Sequence, residues 1–364
     1  MTSTVSTLIT GDELVGRLGE HDLFLLDVRE PDEVADWSIP GVVNIPVDSL
    51  ASRLAEVPAS GDVVVICARG ARAERGRQIL EGAGRFARVL DGGMSGWAST
   101  YDTVAADFGS ARVIQVRRRG KGCLSYVVGA GERCAVIDPS LEVARYEEIA
   151  SAHGWRISYI VDTHLHADHV SGARLLAEAT GATLLLNPGD PFGFEFEPLA
   201  DGREMELANG INLAVSSVSV PGHTEGSTMY RLGDAAVFTG DTLFLDSVGR
   251  PDLAEQAEPF AHHLYASLHE RVLPLPDSVT VFPAHYGPGI EVEEGVFVAR
   301  ALGELRGELA ALTLSEDDFV SWALANVKDR PPNYQSIVLV TMGRAPVTPE
   351  TMELEVGPNR CAIG

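Results

Sequence analysis

Short apolar runs alternate with amphipathic segments along the first hundred residues. The runs LFLLDV (residues 23–28) and VVVIC (63–67) have the length and β-branched bias of buried parallel strands. ARAERGRQILEGAG (71–84), which follows the second run, has apolar positions at helical spacing. The pattern predicts a small α/β domain.

A second α/β pattern begins after residue 110. It opens with the strand-like runs VIQVRR, CLSYVV and CAVID (within 113–138) and continues with alternating helix and strand candidates to about residue 300. Residues 99–113, between the two patterns, show no sustained periodicity, so we place the boundary near residue 105. We therefore expect two domains, 1–105 and 106–364, the second with mixed sheets and helices outside.

The segment SEDDFVSWALANV (315–327) predicts a further helix. Ser315 is the expected N-cap, acidic residues fill the first turn, and the apolar positions that follow have helical spacing. We expect its apolar face to pack on the second domain.

Composition and charge exclude some classes of partner. The 364 residues are 45% hydrophobic and 22% charged, as in ordinary globular proteins. The formal net charge of −24 disfavours nucleic acid and anionic membranes, which bind concentrated Lys and Arg. The basic run RRRGK (117–121) predicts a solvated turn. The N-terminus lacks a secretory pattern and no run of about 18 apolar residues occurs, so we expect a cytoplasmic protein.

The four cysteines have spacings that fit neither a CxxC metal pair nor a disulfide framework, so we expect reduced thiols. Cys123 and Cys134 lie in strand-like runs and are predicted core residues. Cys361, in a tail that we expect to be exposed, is either structural or a second redox thiol.

The stretch THLHADH (163–169) is the strongest chemical signal in the sequence. It follows the apolar run of a buried strand and is predicted to open a helix at about Asp168. His164 and His166 then point to one side of an extended segment, while Asp168 and His169 emerge from the first helical turn. Burying such groups unpaired would cost several kcal/mol, so their density predicts a metal site.

Three further candidate ligands each follow a strand-like run and precede a turn. They are His223 in VPGHTEG, Asp241 in FTGDTLF and His285 in FPAHYGP. Recurrence of this pattern after THLHADH favours one shared site. The other histidines are predicted surface residues: His21, His153, His262, His263 and His269.

On these motifs, their order and their spacing, residues 110–300 resemble the metallo-β-lactamase superfamily. The resemblance implies an αββα sandwich and up to two metals. The implied ligands are His164, His166, Asp168, His169, His223, Asp241 and His285.

Two members of that superfamily compete as interpretations. A glyoxalase II-like hydrolase would use two metals, Zn being the expected ion, to attack a thioester with a bridging hydroxide. A persulfide dioxygenase would use one Fe(II) on His164, His223 and Asp241, with positions left for water, the substrate sulfur and O₂. The remaining groups would then orient ligands or relay protons: His166, Asp168, His169 and His285.

The segment GDTLFLDSVGRPDL (240–253) favours the dioxygenase interpretation. It resembles the persulfide dioxygenase version of this loop, whereas glyoxalase II more often has aromatic residues there. Arg250 could bind a substrate carboxylate and Asp252 could orient it, or the two could form a salt bridge that pins the loop. The tail also resembles bacterial persulfide dioxygenases and not the helical extension of glyoxalase II.

Cys67 ends a predicted buried strand and begins a six-residue loop before a helix. Backbone N–H groups of such a loop, with Arg69 and Arg72 nearby, favour a thiolate and a bound anion. A buried, inert cysteine is the alternative at this position.

Residues 5–102 resemble a rhodanese domain through this loop, LLDVREPDEVADWSIPGVVNIP and VLDGGMSGW. The resemblance implies that Cys67 carries a sulfane sulfur and that the loop to Arg72 cradles the anion. Ala68 stands where the family often has a basic residue, so the resemblance leaves open whether thiosulfate or another persulfide is the preferred sulfur donor.

Sulfane sulfur transfer makes chemical sense beside sulfur oxidation, so the pairing predicts a rhodanese–persulfide dioxygenase fusion. Its expected partners are a small-molecule persulfide, O₂, and thiosulfate or sulfite, and we expect a homo-oligomer. A third possibility is that the rhodanese domain is an inactive docking module.

Overall fold

The computed structural model describes residues 6–208, 214–252, 256–287, 289–327, 330, 333–357 and 361–362. The chain divides into two compact units, one formed mainly by Met1–Asp102 and the other mainly by Thr103–Arg117 and Gly122–Glu355. Within the described ranges, the helices are all too short or too polar to cross a membrane.

The first unit is a parallel sheet with helices packed on it. Its strands are β1 (Leu8–Ile9), β2 (Leu23–Asp27), β3 (Val43–Asn44), β4 (Asp62–Ile66) and β5 (Ala87–Leu90), in the order β1-β5-β4-β2-β3. Its helices are α1 (Gly11–Val15), α2 (Pro31–Asp36), α3 (Val47–Leu50), α4 (Ala71–Gly82) and α5 (Gly93–Ala98). The two strands and the helix predicted here are confirmed as β2, β4 and α4.

The second unit contains two sheets. The seven-stranded sheet holds β6 (Tyr101–Phe108), β7 (Ala111–Arg118), β8 (Cys123–Ala130), β9 (Arg133–Ile137), β10 (Arg156–Val161), β11 (Thr183–Leu186) and β12 (Glu197–Pro198). The six-stranded sheet holds β13 (Glu204–Glu206), β14 (Ala214–Ser219), β15 (Thr228–Leu232), β16 (Ala236–Gly240), β17 (Thr280–Pro283) and β18 (Arg300–Ala301). Strands within each sheet are hydrogen-bonded in numerical order.

Helices flank these sheets. They are α6 (Ala144–Ala152), α7 (Ala173–Thr180), α8 (Ala257–Ser267), α9 (Leu302–Glu308), α10 (Glu316–Ala325) and α11 (Tyr334–Thr341). Short 3-10 turns lie at Leu54–Glu56, Ala310–Thr313 and Pro349–Glu355, and a π-helical turn at Leu268–Val272. The Ser315 hydroxyl accepts from Asp318 N, so the predicted N-cap of α10 is confirmed.

The two sheets of the second unit share one core. Tyr126 of β8 packs on Phe238 of β16 with ring centroids 4.8 Å apart, and Phe238 stacks on Phe282 of β17 at 5.4 Å. The same core includes apolar side chains of α8, α9 and α10. The predicted αββα sandwich after a rhodanese-like α/β domain is confirmed.

Two local predictions were wrong. Residues 101–108, expected to lack regular structure, form the edge strand β6, where polar and apolar residues mix because one edge faces water. The basic run is not a solvated turn, since Arg117, Arg118 and Lys121 are all buried. Arg117 Nη1 donates to the carbonyls of Glu293 and Val296, which replaces the water that its charge would otherwise bind.

Candidate metal centre and cysteine loop

The histidine motif and its downstream partners follow the carboxyl ends of strands in both sheets. The residues concerned are at most 3% exposed: His164, His166, Asp168, His169, His223, Asp241 and His285. They follow β10, β14, β16 and β17. Chain segments that are distant in sequence therefore bring seven ligand-type side chains into one buried region.

The helix after the motif begins later than predicted. The motif lies in an irregular loop, and α7 starts only at Ala173. Gly172 N donates to Pro139 O at 2.7 Å, and Ser171 forms an isolated bridge with Ser140. These bonds hold the loop extended up to the helix, so the predicted start at Asp168 is wrong.

His164, His223 and Asp241 form one group of donors, which we call the triad. The Nε2 atoms of His164 and His223 lie 3.5 Å and 3.4 Å from Asp241 Oδ2. Their donor atoms all lie within 4.8 Å of one another, and none has a hydrogen-bond partner among the described residues. Buried polar atoms are rarely left without a hydrogen bond, so these three atoms fit the ligands of a bound cation.

Neighbouring groups fix the tautomers of both triad histidines. The Thr163 hydroxyl donates to Asp138 Oδ2 and so accepts from His164 Nδ1, at 2.9 Å in each case. His223 Nδ1 donates to the carbonyl of Arg250 at 2.9 Å. Both rings therefore present the lone pair of Nε2 to the centre of the triad.

Close packing lets the strand ends meet here. Gly240, the last residue of β16, has φ of +56°, and a Cβ on it would lie 2.7 Å from Thr163 Cβ. Only glycine allows this approach without moving the loop that carries His164.

Asp241 is held as a carboxylate. Burial alone would raise its pKa, but the adjacent His285 and His164 lower the pKa well below the usual range. The strongest contact is with His285, whose Nδ1 lies 2.6 Å from Asp241 Oδ1. A charged carboxylate is the form that a divalent cation requires.

A second group of donors lies on the other side of His285. It consists of Cys123, Asp168, His169 and His285, all buried and with donor atoms within 4.8 Å of one another. The Cys123 thiol donates to Asp168 Oδ2 at 3.5 Å, and Asp168 Oδ1 lies 3.1 Å from His169 Nδ1. Cys123 was predicted as a core residue, so its place in this group was missed.

His166 is adjacent to both groups, since its ring centroid lies 4.2 Å from that of His164 and 4.2 Å from that of His169. Its Nε2 is 3.1 Å from Asp138 Oδ1, and it clusters with Asp138 and Asp162. Asp162 is buried, and burial is the main reason that its pKa is raised to about 6. The nearby Asp138 carboxylate raises this pKa further, whereas His166 lowers it.

Asp190 links the two loops that carry the triad histidines, and sequence reasoning missed it. Its Oδ2 accepts from Leu165 N at 2.8 Å and from the Thr224 hydroxyl at 3.0 Å, while Oδ1 accepts from Gly226 N at 3.0 Å. The NPGD turn (187–190) that ends in Asp190 gave no sign of this contact.

Arg250 and Asp252 form a bidentate ion pair. The Arg250 Nε and Nη2 atoms lie 2.7 Å and 2.9 Å from the two Asp252 oxygens, and Arg330 also reaches Asp252 Oδ2, at 3.4 Å. The guanidinium is buried, and the Arg250 carbonyl orients His223. The pair has the geometry that pins this loop beside the triad.

Cys361 is buried, contrary to the expected exposed tail. Its carbonyl accepts from Arg250 N at 3.2 Å, and Ala362 forms a bridge with Gly249. The thiol lies within 4.8 Å of donor atoms of Asp241 and His285. Backbone pairing of the tail with the Arg250 loop explains why it is not exposed.

In the first unit, the loop after β4 curls around the sulfur of Cys67. Gly70 N donates to Cys67 Sγ at 3.1 Å, and Gly70 has a φ of +102° that permits this turn before α4. Arg72 forms two bonds to Glu33, of 2.6 and 2.7 Å, and lowers the pKa of that carboxyl to about 2. The loop thus offers a backbone donor to the sulfur, with Arg69 in the loop and Arg72 in the first turn of α4.

Comparison with known proteins supports both assignments of family. The model of the metallo-beta-lactamase superfamily matches residues 118–285, and that of the rhodanese-like domain matches residues 10–100. Persulfide dioxygenase ETHE1 of Bos taurus is 32% identical over 208 residues, which are 55% of this chain and 76% of that protein.

Hydrolases of the same superfamily also match. Hydroxyacylglutathione hydrolase of Methylococcus capsulatus is 37% identical over 161 residues, covering 43% of this chain and 58% of that protein. Among solved structures, ETHE1 from Myxococcus xanthus has a TM-score of 0.55 and 25% identity, over 67% of this chain and 98% of that one.

These relatives are enzymes, and the fold together with the unpartnered donors indicates a bound metal. The chain belongs to the metallo-β-lactamase superfamily, among the relatives of the persulfide dioxygenase ETHE1, and carries a rhodanese-like domain ahead of it.

Proposed function

We propose that the chain oxidises the sulfane sulfur of a low-molecular-weight persulfide, such as glutathione persulfide, to sulfite with O₂ and water, releasing the thiol as the S–S bond breaks. One Fe(II) per chain would be held by His164, His223 and Asp241. The observation that carries the proposal is that these three donors form a group of their own, with three unpartnered atoms. Two imidazoles and one carboxylate are the donor set of mononuclear non-haem iron oxygenases.

When bound there, Fe(II) would supply open positions at which the substrate sulfur and O₂ meet. The chain's own residues prepare that site. Thr163 and the Arg250 carbonyl hold the two imidazoles with Nε2 facing inward. His285 keeps Asp241 charged through its 2.6 Å contact.

The other charged groups serve the substrate and its protons. Arg250 would bind the substrate carboxylate, in addition to pinning the loop, and Asp252 would orient the guanidinium through their bidentate pair. Asp168 and His169 would hold or relay the protons released when sulfite forms, since Asp168 Oδ1 lies 3.1 Å from His169 Nδ1. Neither role requires a second metal.

In the rhodanese-like domain, Cys67 would carry sulfane sulfur as a persulfide. The Gly70 N–H that contacts Sγ is placed to stabilise the anion, and Arg69 and Arg72 would add positive charge around it. The domain would thus exchange sulfane sulfur with thiosulfate or with another persulfide.

A binuclear glyoxalase II-like hydrolase, with two Zn per chain, is the second candidate. The match to hydroxyacylglutathione hydrolase and the donor group around Asp168, His169 and His285 favour it. In that case a hydroxide between two metals would attack a thioester.

Metal analysis combined with an oxygen electrode separates the two candidates. We expect about one iron per chain in protein prepared without added zinc, and O₂ uptake with glutathione persulfide. Turnover of a glutathione thioester by protein with two zincs, without O₂ uptake, would reverse the choice. The cytoplasmic location and the homo-oligomer stay predictions, and light scattering tests the latter.

A further inference from the structure

Glu33 lies beside the Cys67 loop because of the register of the first unit's sheet. β2 and β4 are adjacent and parallel, with Asp27 paired to Ile66, so the segments that follow these strands leave the same edge of the sheet. Helix α2, which carries Glu33, follows β2, and the Cys67 loop follows β4. An acidic side chain is thereby brought to the place where sulfur transfer is proposed.

The guanidinium of Arg72 is bound to Glu33 at two points. Its Nη1 and Nη2 atoms donate to the two Glu33 oxygens at 2.6 Å and 2.7 Å. Glu33 raises the pKa of Arg72 most strongly, and the charges of Cys67 and Glu30 also raise this pKa, so all three groups lie within electrostatic reach of the guanidinium. The two arginines of the loop, Arg69 and Arg72, are thus matched by two carboxylates.

Neighbouring arginines are paired in the same way. Arg29, which follows β2, lies 2.7 Å from Asp27, and Arg75 of α4 lies 2.8 Å from Asp48. These two side chains therefore add little net positive charge near the loop.

The backbone of the loop is held in place, so a bound donor meets a fixed arrangement of charges. The carbonyls of Cys67 and Ala68 accept from Met94 N at 2.8 Å and from Ser95 N at 3.1 Å. Ala68, directly after the cysteine, brings no charge of its own.

The two classes of sulfur donor place different charges on this loop. With thiosulfate, the Cys67 thiolate bonds to the outer sulfur, the S–S bond of the donor breaks, and its electron pair leaves on sulfite, a dianion. With a persulfide R–S–SH, the same attack transfers the terminal sulfur with its proton, and the electron pair leaves on RS⁻, which bears a single charge at the sulfur. Neither step needs an oxidant or a reductant. A loop whose cations are matched by carboxylates disfavours the dianion more than the monoanion.

We propose that Glu33 is a specificity residue: by offsetting the charge of Arg72, it makes the persulfide of a small thiol, and not thiosulfate, the preferred donor of sulfur to Cys67. The inference rests on the proposed function of Cys67 as a sulfur carrier and is independent of the metal centre.

Glutamine at position 33 separates the charge of this side chain from its structural contact. Glu33 Oε2 also accepts from Glu30 N at 3.1 Å, a bond that caps α2. Glu33→Gln keeps an oxygen for that bond and removes the charge.

Loading of Cys67 with sulfur tests the inference. The reduced full chain is mixed anaerobically with thiosulfate or with glutathione persulfide, and the gain of one sulfur on the Cys67 peptide is followed by quenched-flow mass spectrometry. Glu33→Gln should raise the loading rate constant about tenfold with thiosulfate and less than about threefold with the persulfide. The intrinsic reactivity of each donor cancels, because each donor is compared with itself in the two proteins.

Salt gives a second readout of the same charge effect. The Arg72 and Glu33 side chains are each 34% exposed, so mobile ions reach them. The difference between Glu33→Gln and the wild-type protein should shrink between about 0.01 M and about 1 M salt, as the Debye length falls from about 30 Å to about 3 Å.

Glu56→Gln is the matched control. Glu56 forms a bidentate pair with Arg53, with both bonds 2.6 Å long, in a turn outside the Cys67 loop. Its replacement should change both rate constants less than about twofold. Cys67→Ser gives the background from the other cysteines, and circular dichroism verifies that each variant is folded.

Ala68→Lys tests the inference without altering Glu33. A positive charge added directly after Cys67 should raise loading from thiosulfate about tenfold and loading from the persulfide less.

The overturning results are distinct. Equal changes with both donors in Glu33→Gln, or a fall with both, would refute the selection and show that Glu33 only positions Arg72. An unchanged thiosulfate rate constant in Ala68→Lys would refute it even if Glu33→Gln did not fold. If neither donor loads Cys67 in the wild-type protein, the proposed sulfur transfer fails and the inference with it. If Cys67 is loaded but the ratio of the two rate constants is the same in all variants, the transfer stands and the selection fails.

Discussion

Replacing Asp190 with Ala should weaken iron binding although Asp190 touches no metal ligand side chain. The carboxylate accepts from Leu165 N, between two motif histidines, and from Thr224 and Gly226, just after His223. It is therefore a positioning residue that sets the distance between the His164 and His223 loops.

The expected magnitude follows from the bonds that are lost. Asp190 is 5% exposed, and its removal leaves two backbone N–H groups and one hydroxyl without their acceptor. Each unsatisfied buried group costs about 1–3 kcal/mol, so the free energy of unfolding should fall by at least about 3 kcal/mol. Displacing groups that support metal ligands typically lowers metal affinity about 10–100-fold.

Denaturant unfolding and competition for iron with a chelator measure the two effects. Asp201→Ala is the control, because Asp201 Oδ1 also accepts a backbone N–H, that of Ser219, at 2.9 Å, but is exposed. It should cost about 1 kcal/mol or less and leave the iron dissociation constant unchanged. An iron dissociation constant in Asp190→Ala equal to that of Asp201→Ala would refute the positioning role.

Three other changes have defined outcomes. Thr163→Val should raise the iron dissociation constant about tenfold or more, because His164 Nδ1 loses its hydrogen-bond acceptor. Thr163→Ser keeps the hydroxyl and should bind iron as the wild-type protein does. Equal iron affinities of Thr163→Val and the wild-type protein in chelator competition would contradict this. Asp162→Asn should stabilise the metal-free protein by about 3 kcal/mol at pH 8 and have no such effect at pH 4. The pKa of Asp162, about 6 in the native protein, lies above the 3.8 of an ordinary aspartate, so ionisation of this carboxyl lowers the stability of the wild-type protein as pH rises between the two values. A difference in the free energy of unfolding that does not change with pH would refute this. Cys67→Ser should abolish sulfur transfer from thiosulfate or persulfide while largely sparing O₂ uptake with free persulfide, and loss of both activities would show that the two domains cannot act separately.

Much of the fold could be predicted because its strands obey simple patterns. β4 is an apolar run bounded by polar turns, and the ligands each follow such a run. The start of α7 could not be predicted, since it depends on the bond from Gly172 to Pro139, a contact between separate segments. The edge strand β6 was missed because its exposed positions dilute the apolar signal.

The supporting groups of the site were the least predictable part. Cys123 occurs in an apolar strand and has the sequence context of a core residue, yet it is the first residue of β8, where that strand meets the loop of His285. Asp190 occurs in a turn, where Asp is common for local reasons. In both cases the decisive partner is distant in sequence, and only the packed sheets bring it near.

Sheet register explains why the triad and the second donor group, formed by Cys123, Asp168, His169 and His285, are neighbours. β16 and β17 are parallel, with Gly240 paired to Pro283, so Asp241 and His285 leave adjacent strand ends and form their 2.6 Å contact. The Nδ1 atom of His285 then contacts the triad carboxylate, and its Nε2 atom lies beside Asp168 of the second donor group. Because a single imidazole connects both groups, a charge placed on one would alter the donor strength of the other.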